Sequence, residues 1–118
     1  MGVREVAERY FACVSAHDAE GLANLFAEDG WLRPPPPVTD HVQGRTAIRA
    51  FYQQLFEWVP DVSIERYQLI VDGNTCAAPF SSWINGELNP NVIDVFTVND
   101  RDELVEMIAY TRAPAAPE

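Results

Sequence analysis

Between residues 3 and 17, Val3, Val6, Tyr10, Cys13, Val14 and His17 recur at helical spacing, with Ala7 and Phe11 widening the stripe. That period predicts an amphipathic helix with one buried face. Asp18 is placed to cap a second, short helix over about 19–28, with Leu22, Leu25 and Phe26 turned inward and Asp29-Gly30 as its stop. Ile48, Phe51, Tyr52, Leu55, Phe56 and Val59 mark a third helix, closed by Pro60-Asp61. Between the second and third helices, Trp31 and Leu32 suit a brief strand. Pro34 to Pro37 end it, because proline donates no ladder hydrogen bond and favours an extended conformation, and the chain to Gly44 reads as a loop.

After residue 61 the pattern changes. "VSIERYQLIVDGNT", "CAAPFSSWING", "NVIDVFTVND" and "ELVEMIAYTR" are β-branched and aromatic runs, separated by Asp72-Gly73-Asn74, Asn85-Gly86 and Asn99-Asp100. These predict consecutive antiparallel strands, with Pro79 and Pro90 marking a bulge or an edge. Helices followed by strands define a segregated α+β domain, with three N-terminal helices on one face of a curved antiparallel sheet. A single domain over 1–112 with a flexible tail over 113–118, "APAAPE", accounts for the whole chain.

Charge narrows the chemistry. A net charge of -10 argues against nucleic acid and anionic membrane surfaces as partners. All eight cations are arginines, so a lysine Schiff base is excluded. His17 and His41 stand alone, with no HxH or HxxxH spacing, and no metal or cofactor is expected. Cys13 and Cys76 lie far apart without a CxxC partner and read as buried thiols. Arg4, Glu5, Glu8 and Arg9 interrupt any apolar opening stretch, and a cytoplasmic location is expected.

The words "RYFACVSAHDAEGLANLFAEDG", "GRTAIRAFYQQL" and "VIDVFTVN" give the chain a resemblance to the nuclear transport factor two-like superfamily, in its ketosteroid isomerase and SnoaL-like polyketide cyclase branch. The resemblance spans nearly the whole chain. It implies a cone-shaped, cystatin-like α+β fold, a homodimer formed through the exposed sheet face, and a hydrophobic small-molecule substrate. In the isomerases, a tyrosine of the first helix and an acid in an "IDxF" strand hydrogen-bond the substrate oxygen; those positions fall on Tyr10 and Asp94. An aspartate between Ile93 and Val95 would bury its charge at high cost, so burial raises its pKa and leaves a neutral donor. Two neutral donors aimed at one oxygen stabilise developing negative charge without a counterion.

The resemblance also exposes a departure. The isomerase's general base is an aspartate before a proline after the second helix; here the matching position is Pro34 or Pro35, within "GWLRPPPP", and neither accepts a proton. Asp40 and His41, on the loop that follows, are the substitute candidates, and His41 has an ordinary pKa suited to proton transfer near neutrality. The cyclases' terminal "VEHWD" word corresponds to "VEMIAY", which offers no pocket acid at that position. The expected pocket is apolar. Phe26, Trp31, Phe51 and Trp58 are candidate lining residues from the first half of the chain, and Phe80, Trp83, Phe96 and Met107 from the second. An isomerase or cyclase acting on a polyketide- or steroid-like carbonyl compound is one expectation. A non-catalytic ligand-binding or protein-interaction domain of the same fold is the other.

Overall fold

The computed structural model of the chain describes residues 2–34 and 40–111; the prolines after Pro34 and the expected tail lie outside the described residues. Helix α1, Val3–Ser15, buries Val3, Val6, Ala7, Tyr10, Phe11 and Val14 of the predicted stripe, while Cys13 is half-buried and His17, past the helix end, is exposed. His17 then takes a left-handed backbone with φ of 56°, and the Asp18 carboxylate accepts the Gly21 N–H at 2.9 Å, capping α2, Ala19–Asn24.

The second helix stops earlier than its apolar spacing predicts. Phe26–Arg33 is strand β1, paired in parallel with the last strand, so that Phe26 stands opposite Leu104 and Leu32 opposite Met107. The Leu104 N–H bonds the Leu25 carbonyl at 2.9 Å, capturing a carbonyl where the helix would have continued. Asp29-Gly30 is therefore no helix stop but part of the irregular stretch between Phe26 and Trp31, where Glu28 and Asp29 turn outward. Gly30 lies flat against the partner strand: a methyl group there would sit 2.5 Å from the Leu104 carbonyl oxygen.

The expected loop to Gly44 also contains a two-residue strand, β2 (Val42–Gln43), antiparallel to β1. Helix α3, Arg45–Trp58, follows, burying Ile48 and Tyr52. Its first residue is anchored twice: Arg45 Nε donates to the Phe26 carbonyl at 2.7 Å, and Arg45 Nη2 pairs with Glu103 at 3.2 Å. Glu103 in turn accepts from Asn99 Nδ2 at 3.1 Å, tying the helix start to the last hairpin.

The remaining strands are β3 (Val62–Tyr67), β4 (Ile70–Asp72), β5 (Thr75–Ile84), β6 (Glu87–Val98) and β7 (Leu104–Thr111). The run expected as one strand before Gly73 is two, β3 and β4, both paired to β5. The break faces Pro79: the Gln68 N–H bonds the Pro79 carbonyl at 3.0 Å, on the side of β5 where proline has no N–H to offer. Pro90 lies where the β5–β6 register shifts, between the Phe80–Val92 and Ser82–Asn89 pairs, as a bulge requires. Asn85 and Gly86 have φ of 51° and 84°, a hairpin turn of the primed kind.

The sheet runs β2-β1-β7-β6-β5-β3, with β4 beside β3 on β5. It is mixed, not purely antiparallel: β1 reaches β7 only after the rest of the sheet has been laid down, and that pair is parallel. Helices and an open, curved sheet enclose one core, in which Phe26, Phe96, Leu22, Leu32, Ile48 and Leu104 are fully buried. No helix among the described residues is long and apolar enough to cross a membrane.

Candidate active site

Alternation along β6 buries Val92, Asp94, Phe96 and Val98 and turns Ile93 outward, so Asp94 faces the helices. Its cross-strand partners are small: Ala78 on β5 and Ala109 on β7, both buried. The aspartate is 3% exposed. Burial pushes its pKa up to about 8, which keeps the carboxyl group largely protonated at neutral pH.

From above, two helices each contribute a phenol. Tyr10 of α1 and Tyr52 of α3 share a hydrogen bond of 2.6 Å between their hydroxyl oxygens, in the buried layer. The Tyr10 ring stands edge-on to Phe96 at 5.1 Å, which brings it over the stretch of β6 that carries Asp94. The Tyr10 pKa is raised well above its ordinary value, by burial first and then by charge at Tyr52 and Asp94. Tyr52 is raised too, mostly by burial, with the hydrogen bond it shares with Tyr10 acting in the opposite direction and charge at Asp94 adding to the rise. Both phenols thus feel Asp94 and each other, the Asp94 shift itself comes from burial, and all three groups keep their protons at neutral pH. Such a set can polarise a carbonyl or hold an enolate oxygen without placing a cation in the core.

Of the residues singled out in the sequence, the structure brings Tyr10 and Asp94 into one buried layer and surrounds them with some of the expected apolar partners. Phe96 packs on Tyr10, Phe51 stands edge-on to Tyr52 at 5.2 Å, and Phe80 contacts Phe11 at 5.1 Å. Met107 is buried as the cross-strand partner of Phe96, and Phe26 is buried opposite Leu104. The three tryptophans are placed elsewhere. Trp58, at the end of α3, is 72% exposed, and Trp83 is exposed on β5.

Trp31 pairs with Glu106, whose carboxylate accepts from Thr97 on the side of the sheet away from the helices. His41 lies edge-on to Trp31 at 5.6 Å and is exposed. It therefore sits across the sheet from Tyr10 and Asp94. Asp40 is exposed as well, and Pro34, the first of the two positions matching the usual base, is buried at the end of β1.

The residue missed in the sequence is Tyr52. On the α3 stripe it reads as ordinary core; the available signal is that a tyrosine on a fully buried stripe needs a partner for its hydroxyl, and Tyr10 carries the same requirement on α1. Among the described residues no group of His, Cys, Asp and Glu is arranged to hold a metal ion.

The profile of the SnoaL-like domain family matches residues 7–107. No curated protein sequence matches the chain significantly. Among solved structures, a ketosteroid isomerase, so described as putative, from Kribbella flavida DSM 17836 superimposes with a TM-score of 0.79 at 22% identity, covering 98% of this chain and 82% of that one. SalBIII, an epoxide hydrolase/cyclase-like enzyme of pyran ring formation in the polyether salinomycin, gives 0.78 at 22% identity, covering 93% and 90%. A SnoaL-like protein of unknown function from Burkholderia thailandensis E264 gives 0.75 at 14% identity, covering 94% and 95%.

Proposed function

Because the chain belongs to the SnoaL-like domain family, we propose that it is a small-molecule enzyme, an isomerase or a cyclase. Its substrate is a hydrophobic, carbonyl-containing compound of polyketide- or steroid-like character. The observation that carries this reading is the Tyr10–Tyr52 hydroxyl pair, buried with the protonated Asp94 in an apolar layer. Fold likeness to an isomerase and to a cyclase-like enzyme supports it.

In this mechanism Tyr10 and Asp94 donate to the substrate oxygen, and Tyr52 holds the Tyr10 hydroxyl in place. The hydrogen bonds strengthen as negative charge moves onto that oxygen, which is what lowers the barrier to enolisation. Proline replaces the usual base, and His41 lies on the other face of the sheet, so Asp40 is the base candidate left from the loop. A ring closure needs less: a reactive chain held in a productive shape gains mainly through lost freedom, and the donors polarise its carbonyl. A homodimer formed through the outer face of the sheet completes the reading.

The test is a titration of a phenolate, a mimic of the enolate, against the parent, Tyr10→Phe and Asp94→Asn proteins. Each substitution is expected to weaken binding by on the order of 1–3 kcal/mol, as loss of a buried donor should. Equal affinity in all three overturns the donor assignment. Pro34 at the end of β1 favours a second reading, a ligand-binding domain without turnover: the same donors bind the phenolate, but carbonyl substrates leave the protein unchanged.

A further inference from the structure

Asp94 and Ser82 are the two buried residues of polar or charged type among those described, each 3% exposed. The donor site uses only the first. Both face the helices: the even-numbered positions Cys76, Ala78 and Ser82 are the buried ones on β5, and Ala78 is the cross-strand partner of Asp94. Ser82 lies four residues further along the same face, roughly 13 Å away at about 3.3 Å per residue. Between them the face is apolar, formed by Ala78, Phe80 and Val92.

The sheet is irregular on both sides of Ser82. Its register with β3 shifts between Ile64 and Arg66, and its register with β6 shifts at Pro90. Such irregularities bend a sheet and re-aim side chains, and they concentrate beside binding sites. A hydroxyl on an otherwise apolar face is a hydrogen-bonding group that apolar packing alone does not call for.

We infer that Ser82 is a specificity-determining residue: it receives a second oxygen at the far end of an elongated ligand whose first oxygen is held by Tyr10 and Asp94. This rests on the proposed donor site and narrows its substrate class to rigid, apolar skeletons with an oxygen function at each end, separated by two or more linked or fused six-membered rings. A hydroxyl donates to a ketone or accepts from an alcohol, so either group at the distal end is accommodated.

Two probes separate this inference from its premise: 4-hydroxybiphenyl, with one oxygen, and 4-acetyl-4′-hydroxybiphenyl, which adds a ketone at the opposite end. The parent is expected to bind the ketone probe about fivefold or more tightly than its partner, the difference one neutral hydrogen bond makes. Ser82→Ala should abolish that preference while leaving 4-hydroxybiphenyl affinity within about twofold, which also shows that the variant is folded. Tyr10→Phe should weaken both probes alike. Equal binding of the two probes to the parent, or a preference that survives in Ser82→Ala, overturns the role of Ser82 alone. Binding of neither probe overturns it together with the donor site beneath it.

Discussion

Asp94 gives the fold a pH-dependent contribution to stability. Its folded pKa is raised to about 8 from an ordinary value of 3.8. As pH rises from about 4 to about 8, the unfolded chain gives up this proton and the folded chain keeps it, so stability falls across that window and levels off above it. Asp94→Asn, which keeps the shape and removes the titration, is expected to be more stable than the parent by on the order of a few kcal/mol near pH 8 and to differ little at pH 4. Denaturant unfolding of both proteins across that range measures the gap; a gap independent of pH refutes a buried neutral acid. Tyr52→Phe acts differently. It leaves the buried Tyr10 hydroxyl without the partner at 2.6 Å, so a loss of about 1–2 kcal/mol in unfolding free energy is expected. Phenolate affinity should fall less than in Tyr10→Phe, because Tyr52 acts through Tyr10. Tyr10 and Asp94 are singled out by the resemblance, through the "RY" and "IDxF" words; helix period and strand alternation then put each on a buried face without showing that the two meet. Tyr52 was not legible, since its partner is 42 residues away in sequence.

At the scale of elements, local period and turn chemistry fixed what they govern. The α1 stripe, the Asp18 cap and the Asn85-Gly86 hairpin all follow from neighbours within a few residues. Strand β1 does not. Leu25, Phe26 and Ala27 fit a helix period as well as a strand, and the choice is made by β7, which arrives some eighty residues later and takes the Leu25 carbonyl. The same pairing decides that Trp31 faces away from the helices, and it takes His41 with it. Gly30 is where this long-range contact becomes testable. Its backbone needs no glycine conformation, but a methyl group would meet the Leu104 carbonyl at 2.5 Å, and a backbone oxygen cannot rotate aside. Gly30→Ala is therefore expected to lower the unfolding free energy by about 2 kcal/mol or more, read as a lower denaturant midpoint. A neutral outcome would mean that β1 and β7 are not in this close register. Asp18→Ala, at a site governed locally, should cost about 0.5–2 kcal/mol.

The whole molecule presents two unlike faces of one sheet. Antiparallel sheets that meet water on one side carry polar residues there, yet Trp83, Leu88, Ile93 and Tyr110 are exposed on the face away from the helices. Ile93 and Tyr110 are cross-strand partners, Val95 and Ile108 form the next pair, and the Arg33 guanidinium covers the Tyr110 ring at 5.3 Å. A continuous apolar strip of this kind is better satisfied by a second copy of the same strip than by solvent. The charge works against association: each chain carries -10, so two copies repel until salt screens them. Sedimentation velocity should therefore find a dimer at physiological ionic strength whose affinity strengthens as salt is added, opposite to a complex held by ion pairs. Ile93→Glu should dissociate it by burying an unpaired charge in the strip, whereas Trp58→Ser, which removes an exposed tryptophan at the end of α3, should leave it intact. A parent chain that stays monomeric at high micromolar concentration in 0.15 M salt would remove the dimer from the proposal and leave the donor site, built within one chain, untouched.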